Sequence, residues 1–259
     1  MAAWKELTDS QISAITGETG FQRALIVKDY YITLILYLIK DISGIYFKGG
    51  TALQKIFLNY ARLSEDIDLT LTREVHEIKK EITAQLQASR VFPAITKDKD
   101  VEGFTRLVVH YKRSSGEQGV IFIDMNKRAK LIMEPEIYQI PHFYQDAIPS
   151  FSFQTEAKKE MIAGKMMAAM GRNKPRDHYD LYEIIKKGLP IDIGLVKKKA
   201  AISKEEFSII KMFNKAKKLK NRWDKDMAPL VGEKITFQEI MKTLAKHFKL
   251  KEEKDTLKQ

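Results

Sequence analysis

The chain contains no cysteine. Disulfides and zinc–thiolate centres are therefore excluded, and a cytoplasmic protein is the simplest expectation. Long hydrophobic runs are also missing. A membrane span needs ~18 or more consecutive apolar residues. The most apolar stretch, DYYITLILYLIKD at 29–41, carries charges at both ends around a shorter apolar centre. It reads as a buried helix. The opening MAAWKELTDS lacks the apolar core of a signal peptide. No membrane partner is expected. No long heptad seam is present either, so a monomer is expected.

What the chain does have is apolar mass and an uneven charge. Of its 259 residues 44% are apolar, enough to pack one large domain or two modest ones. Residues 1–156 carry 19 Lys+Arg against 20 Asp+Glu, whereas 157–259 carry 26 against 14. The formal excess of +11 thus lies wholly in the C-terminal part. Such a surface attracts polyphosphates through Coulomb steering and counterion release. The alternative is a lysine-coated helical surface kept for solubility.

The hydrophobic pattern changes at the same place. Residues 9–42 read as helical, with a stop at Gly44. A short strand follows over 44–47, a helix over 51–59, an alternating strand over 66–71 and a helix over 74–88. Residues 104–112 alternate again, and VIFID at 120–124 is a continuous apolar run of the kind found in a strand covered on both faces. After a proline-containing loop, helical segments are expected near 155–171, 176–187, 192–200, 203–222 and 236–247, with a frayed tail at 251–259. The expectation is an α+β protein of two lobes. A sheet domain with flanking helices would span 1–150, and a basic, all-helical domain 151–259.

Four groups of residues could carry chemistry. Gly49, Gly50 and Thr51 lie between a strand and a helix. Glycine permits positive φ and close backbone approach, and a helix start offers free N–H groups to an anion. A simple turn would look the same. Asp66 and Asp68 alternate on one strand and so share a face. Two carboxylates so placed repel one another, which a hard divalent cation would relieve; a polar surface strand is the plainer reading. Asp124 closes the apolar run VIFID, either as a third ligand or as a salt-bridged strand end. In EMIAGKMMAAMGRNKPRDHYDLYEI (160–184), Lys165 sits in an apolar helix, where it either snorkels to water or meets an anion. After the break at Asn173–Lys174–Pro175, Arg176, Asp177 and Asp180 share a helix face. This is either a capped helix with an internal ion pair or a charged cluster facing the carboxylates across a cleft. His178 is expected at the surface, and Met166, Met167 and Met170 in a core.

Together, FKGGTAL and RLSEDIDL, the acid of FID, and EMIAGKMMA followed by RNKPRDHYDLYEI resemble the AbiEii/AbiGii toxin family of DNA polymerase β-like nucleotidyltransferases. The resemblance runs from about Phe47 to Ile184. It implies a mixed-sheet nucleotidyltransferase domain in the first lobe. It implies nucleotide contacts at Lys48, Gly49, Gly50, Thr51, Ser64, Lys165, Arg176 and Asp177. Mg2+ or Mn2+ would be held by Asp66 and Asp68, with Asp124 added from its strand position. Lys165 would meet a phosphate, Asp180 would complete the site, and Asp124 or Asp180 would be the base. The partners implied are an NTP, an RNA acceptor (tRNA first) held by the basic lobe, and a cognate antitoxin. Two alternatives share the pattern: the same transfer onto a small molecule or a protein, and a non-catalytic nucleotide- or RNA-binding protein.

Overall fold

The computed structural model describes residues 4–128, 130–172 and 174–256, the last three of these without their side chains. Asn173, part of the expected helix break, lies outside the described residues. The chain divides into two compact units, Met1–Ala157 and Lys158–Gln259. The expected division at 150 falls short because a strand at Ser152–Thr155 pairs into the first unit's sheet.

The first unit opens with helices α1 (Asp9–Thr19) and α2 (Arg23–Ile39). The single helical stretch expected over 9–42 is broken at Gly20, which adopts φ 71° and caps α1. A reciprocal pair of bonds between Thr8 and Gln11 starts α1. Most of α2 is buried, including Ile26, Tyr30, Tyr31, Leu34 and Ile35. Strand β1 (Ile45–Lys48), helix α3 (Gly49–Ile56), strand β2 (Asp66–Leu71) and helix α4 (Val75–Ala88) follow. Then come β3 (Ala94–Val101), β4 (Phe104–Lys112), β5 (Gln118–Asn126), β6 (Glu136–Gln139) and β7 (Ser152–Thr155).

The seven strands form one mixed sheet in the order β3-β4-β5-β2-β1-β7-β6. β2 runs parallel to β5, and β1 parallel to β7, while the other pairs are antiparallel. Strand periodicity sends alternate residues to opposite faces. One face holds Ile45, Phe47, Ile67, Leu69, Leu107, Val109, Ile121 and Ile123, all buried, and α2 and α4 pack against its strands. The other face carries Lys48, Asp66, Asp68, Arg106 and Asp124, each half-buried.

β5 is therefore not the doubly covered strand that VIFID suggested. Its Phe122 is only half-buried and lies under a guanidinium, with the Arg106 Cζ 5.0 Å from the ring centre. An apolar residue there serves a cation rather than a second layer. β3, β6 and β7 were not anticipated. β3 is an edge strand whose residues are nearly all exposed, so it shows no apolar alternation, and its charges suit an edge.

The second unit contains α5 (Lys158–Gly171), α6 (Pro175–Lys186), α7 (Ile193–Ile202), α8 (Ile209–Ala216), a 3₁₀ segment (Lys217–Arg222), α9 (Trp223–Met227), α10 (Phe237–His247) and α11 (Leu250–Thr256). No described residue of this unit lies in a strand. Asp192 and Ser208 cap α7 and α8 through their side chains, and Thr236 with Glu239 forms a capping box on α10. The segment expected as one helix over 203–222 starts late, at the Ser208 cap, and tightens into the 3₁₀ segment. The expected frayed tail is helical up to Thr256; residues 257–259 lie outside the described residues. The core of this unit includes Met166, Met170, Leu181, Ile184, Met212, Leu219, Trp223 and Ile240. Met167 is half-buried.

Candidate active site

The turn from β1 into α3 depends on a glycine. Gly49 has φ +77°, in the left-handed region that side chains disfavour. A Cβ there would also lie 2.2 Å from Asp68 Oδ2. The backbone of the turn and a carboxylate oxygen of β2 thus occupy adjoining space that only glycine leaves open. Gly50 follows in the first turn of α3.

α3 itself is pinned from below. Lys55 is 1% exposed and donates to Asp29 Oδ2 (2.8 Å), Thr33 Oγ1 (3.0 Å) and the Tyr60 hydroxyl (2.9 Å). Those are all three of its N–H donors. Tyr60 passes its own proton to the Pro141 carbonyl at 2.7 Å, and the Tyr144 hydroxyl lies 3.0 Å from Asp29 Oδ2. Burial pulls the Lys55 pKa down, while the Asp29 carboxylate pulls it up. This network ties α3 to α2. Thr51 adds a second tie, because its buried hydroxyl donates to the backbone carbonyl of Asp66. The Thr51 proton is thereby committed to joining the start of α3 to the start of β2. Ser64 is buried in the segment that leads into β2.

Four charged residues form one row across the sheet. Lys48 is the register partner of Asp68, Asp68 of Asp124, and Asp124 of Arg106. Their side chains share a face, with two acids inside and two bases outside. Asp66 lies two residues from Asp68 on the same face, opposite Phe122 in register. Arg106 grips Asp124 at two points: Nε donates to Oδ1 at 2.6 Å and Nη2 to Oδ2 at 2.7 Å. Its Nη1 is 3.8 Å from Asp98. The bond to Asp124 raises the Arg106 pKa, burial opposes it, and the fields of Asp124, Asp66 and Asp98 reinforce it. At the other end Lys48 Nζ is 3.6 Å from Glu156 Oε1, which also accepts from Thr70 Oγ1 at 2.6 Å.

This arrangement bears on the expected cation. Asp66 and Asp68 offer the hard oxygen donors that a divalent ion prefers, on one face of one strand. Asp124 stands where a third donor would be, but Arg106 holds both of its oxygens. Among the described residues no three carboxylate or imidazole side chains are grouped as a metal site. The residues present fit an ion held by Asp66 and Asp68, and do not fit the three-aspartate set.

The second unit contains its own charged cluster, set in its core. Lys165 on α5 is 5% exposed. Its Nζ lies 3.0 Å from Asp177 Oδ1 and 2.8 Å from Asp180 Oδ2, both acids being on α6. Asp177 also accepts from Arg172 Nε (2.7 Å) and Nη2 (2.9 Å). Burial alone would raise the Asp177 pKa, but the charges of Lys165 and Arg172 override it and hold the carboxyl well below its ordinary value. Arg176 is half-buried on the same helix. Pro175 stands at the start of α6, where its missing N–H costs nothing. His178 corrects an expectation. It is fully buried rather than at the surface, and burial lowers its pKa and keeps the ring neutral. The polar string RDHYD conceals this, because α6 buries a broad face that includes Asp177, His178, Asp180, Leu181 and Ile184.

Arg106, Glu156 and the Lys55–Asp29 pair escaped the sequence reading. For Arg106 a signal existed. It alternates with Leu107 and Val109 on β4, which puts a base on the face opposite their apolar stripe.

Solved structures share this fold. JHP933 of Helicobacter pylori is 16% identical, with a TM-score of 0.59 over 92% of this chain and 98% of its own. MenT4, a nucleotidyltransferase toxin of Mycobacterium tuberculosis, is 17% identical, with a TM-score of 0.58 over 93% and 99%. At such identities the likeness establishes the fold. No curated protein matches the sequence. The model of the AbiEii nucleotidyl transferase toxins, of type IV toxin–antitoxin systems, matches residues 39–243. The chain belongs to that family and is a nucleotidyltransferase. The family supports a place in a toxin–antitoxin system, with an NTP as substrate, and its enzymes generally use divalent metal ions.

Proposed function

We propose that this toxin transfers a nucleoside monophosphate from an NTP to an RNA hydroxyl, with tRNA as the acceptor and Mg2+ or Mn2+ as the cofactor. The observation that carries the reading is the row Lys48–Asp68–Asp124–Arg106 beside the Gly49 turn. With Asp66 beside Asp68 on β2, it combines an anion-accepting helix start, two carboxylates on one strand and two cations. Nucleotidyl transfer needs these parts, because the enzyme mainly positions the phosphates and neutralises charge.

In the proposed reaction the acceptor oxygen bonds to the α-phosphorus. The α–β bridging bond breaks, pyrophosphate leaves, and the hydroxyl proton passes to solvent. The two bases considered from sequence, Asp124 and Asp180, are both ion-paired, with Arg106 and Lys165 respectively. Gly49, Gly50 and Lys48 would receive the triphosphate. A divalent ion held by Asp66 and Asp68 would offset the phosphate charge. Thr51 and Ser64 would shape the cradle from within, since both are buried. Lys165 would meet a phosphate oxygen. Arg176 and Asp177 would complete the nucleotide contacts.

The second unit carries 26 Lys+Arg against 14 Asp+Glu. We assign it the part of a basic helical lobe that holds the RNA backbone. No described helix is long and apolar enough to cross a membrane, and a cytoplasmic monomer meeting tRNA, with a cognate antitoxin protein as its inhibitor, is the proposed setting. The test is to incubate the full chain with each α-labelled NTP in turn, Mg2+ and total tRNA. Label should enter tRNA from at least one nucleotide and be lost with Asp66→Ala. Absence of transfer from all four by folded protein overturns the reading.

A further inference from the structure

Asp124 stands beside Asp68, where a third carboxylate would share a cation, yet Arg106 grips both of its oxygens at 2.6 and 2.7 Å. A two-point guanidinium–carboxylate pair is among the strongest hydrogen-bonded contacts in proteins. The guanidinium is also fixed from other sides. The Phe122 ring lies 5.0 Å below it, Asp98 lies 3.8 Å away, and the charge of Asp66 acts on it. Releasing Asp124 to a metal would strip Arg106 of its main partner.

We propose that Arg106 is a permanent cation of the site. It withholds Asp124 from the metal, so that Asp66 and Asp68 hold a single divalent ion. It also supplies the second positive charge that the nucleotide's phosphates meet. Asp66, Asp68 and Asp124, together with Glu156 against Lys48 and Asp98 near Arg106, outnumber the two bases, and a divalent ion offsets part of that excess. Asp124 is then a positioning residue, aiming a guanidinium rather than binding a metal. This rests on the metal-dependent nucleotidyltransferase reading above.

The test reads binding rather than turnover. Mn2+ is titrated into the full chain by calorimetry and by electron paramagnetic resonance, alone and with α,β-methylene analogues of each NTP. Wild type and Asp124→Asn should each bind one Mn2+, with affinities within about threefold of each other, while Asp66→Asn should weaken it about 30-fold or more. Arg106→Gln frees Asp124 beside Asp68 and should therefore bind Mn2+ at least about threefold more tightly or take up a second ion, while its analogue binding measured without metal should weaken about tenfold or more. The inference is overturned if Asp124→Asn loses Mn2+ as Asp66→Asn does, or if Arg106→Gln binds Mn2+ no differently from wild type. Should Arg106→Gln not fold, the Asp124→Asn arm decides alone. If wild type binds no Mn2+, the metal dependence proposed above fails instead. Arg106 is then judged by metal-free analogue titration: about tenfold weaker binding in Arg106→Gln sustains its role, and unchanged binding removes it.

Discussion

Asp68 and Asp124 are register partners on adjacent parallel strands, two acids side by side, with Lys48 and Arg106 as the next residues outward in the same row. Like charges in that position are destabilising unless something lies between or beside them. The flanking bases, and the Gly49 turn against the Asp68 carboxylate, are the local answer.

That contact makes Gly49 sensitive in two ways. Gly49→Ala places a side chain at φ +77° and forces Asp68 to shift. The backbone term alone costs about 1–2 kcal/mol. Activity should fall more than stability does, because the displaced group is a carboxylate of the site. Urea unfolding alongside a nucleotidylation assay checks this; a fully active Gly49→Ala would show that the position of Asp68 does not matter.

The buried Lys55–Asp29 pair should be costly to break singly. Asp29→Leu leaves an ammonium in a 1%-exposed site and should cost about 3–5 kcal/mol. Replacing both, Lys55→Met with Asp29→Leu, should restore part of that loss. Denaturant midpoints of the two single variants and the double variant form the cycle. The double variant should still lose nucleotide affinity, since α3 loses its tie to α2.

Acid should weaken the first unit through His142. Burial first, and the charge of Lys55 next, lower its pKa to about 4, from an ordinary 6.5. Between those values the unfolded chain takes up a proton that the folded one refuses. Stability therefore declines as pH falls from about 6.5 to about 4, by about 1–3 kcal/mol. His142→Gln should flatten that limb of a melting-temperature profile. In the second unit the depressed Asp177 contributes stability that is present above its ordinary value and is lost as pH falls further.

Much of this was legible in the sequence where one face of an element is buried. β2 and β4 announce themselves through Ile67, Leu69, Leu107 and Val109. β3 does not, because an exposed edge strand has no apolar stripe to reveal it. The glycine pair and the two aspartates of β2 could be read directly, since their spacing is local. The row could not. It depends on β4, β5, β2 and β1 lying side by side in one register, which no spacing along the chain encodes. His178 was misread for a similar reason, as several helices close over its side of α6.

The placing of a base outside each acid along Lys48, Asp68, Asp124 and Arg106 also affects how the molecule is made. A cluster of bare acids would stay strained until an ion arrived, and folding would wait on ion supply. Here the chain brings its own counter-charges to the strands as they pair. The chain can therefore reach its folded shape before any cation binds, and an ion would meet a site already formed.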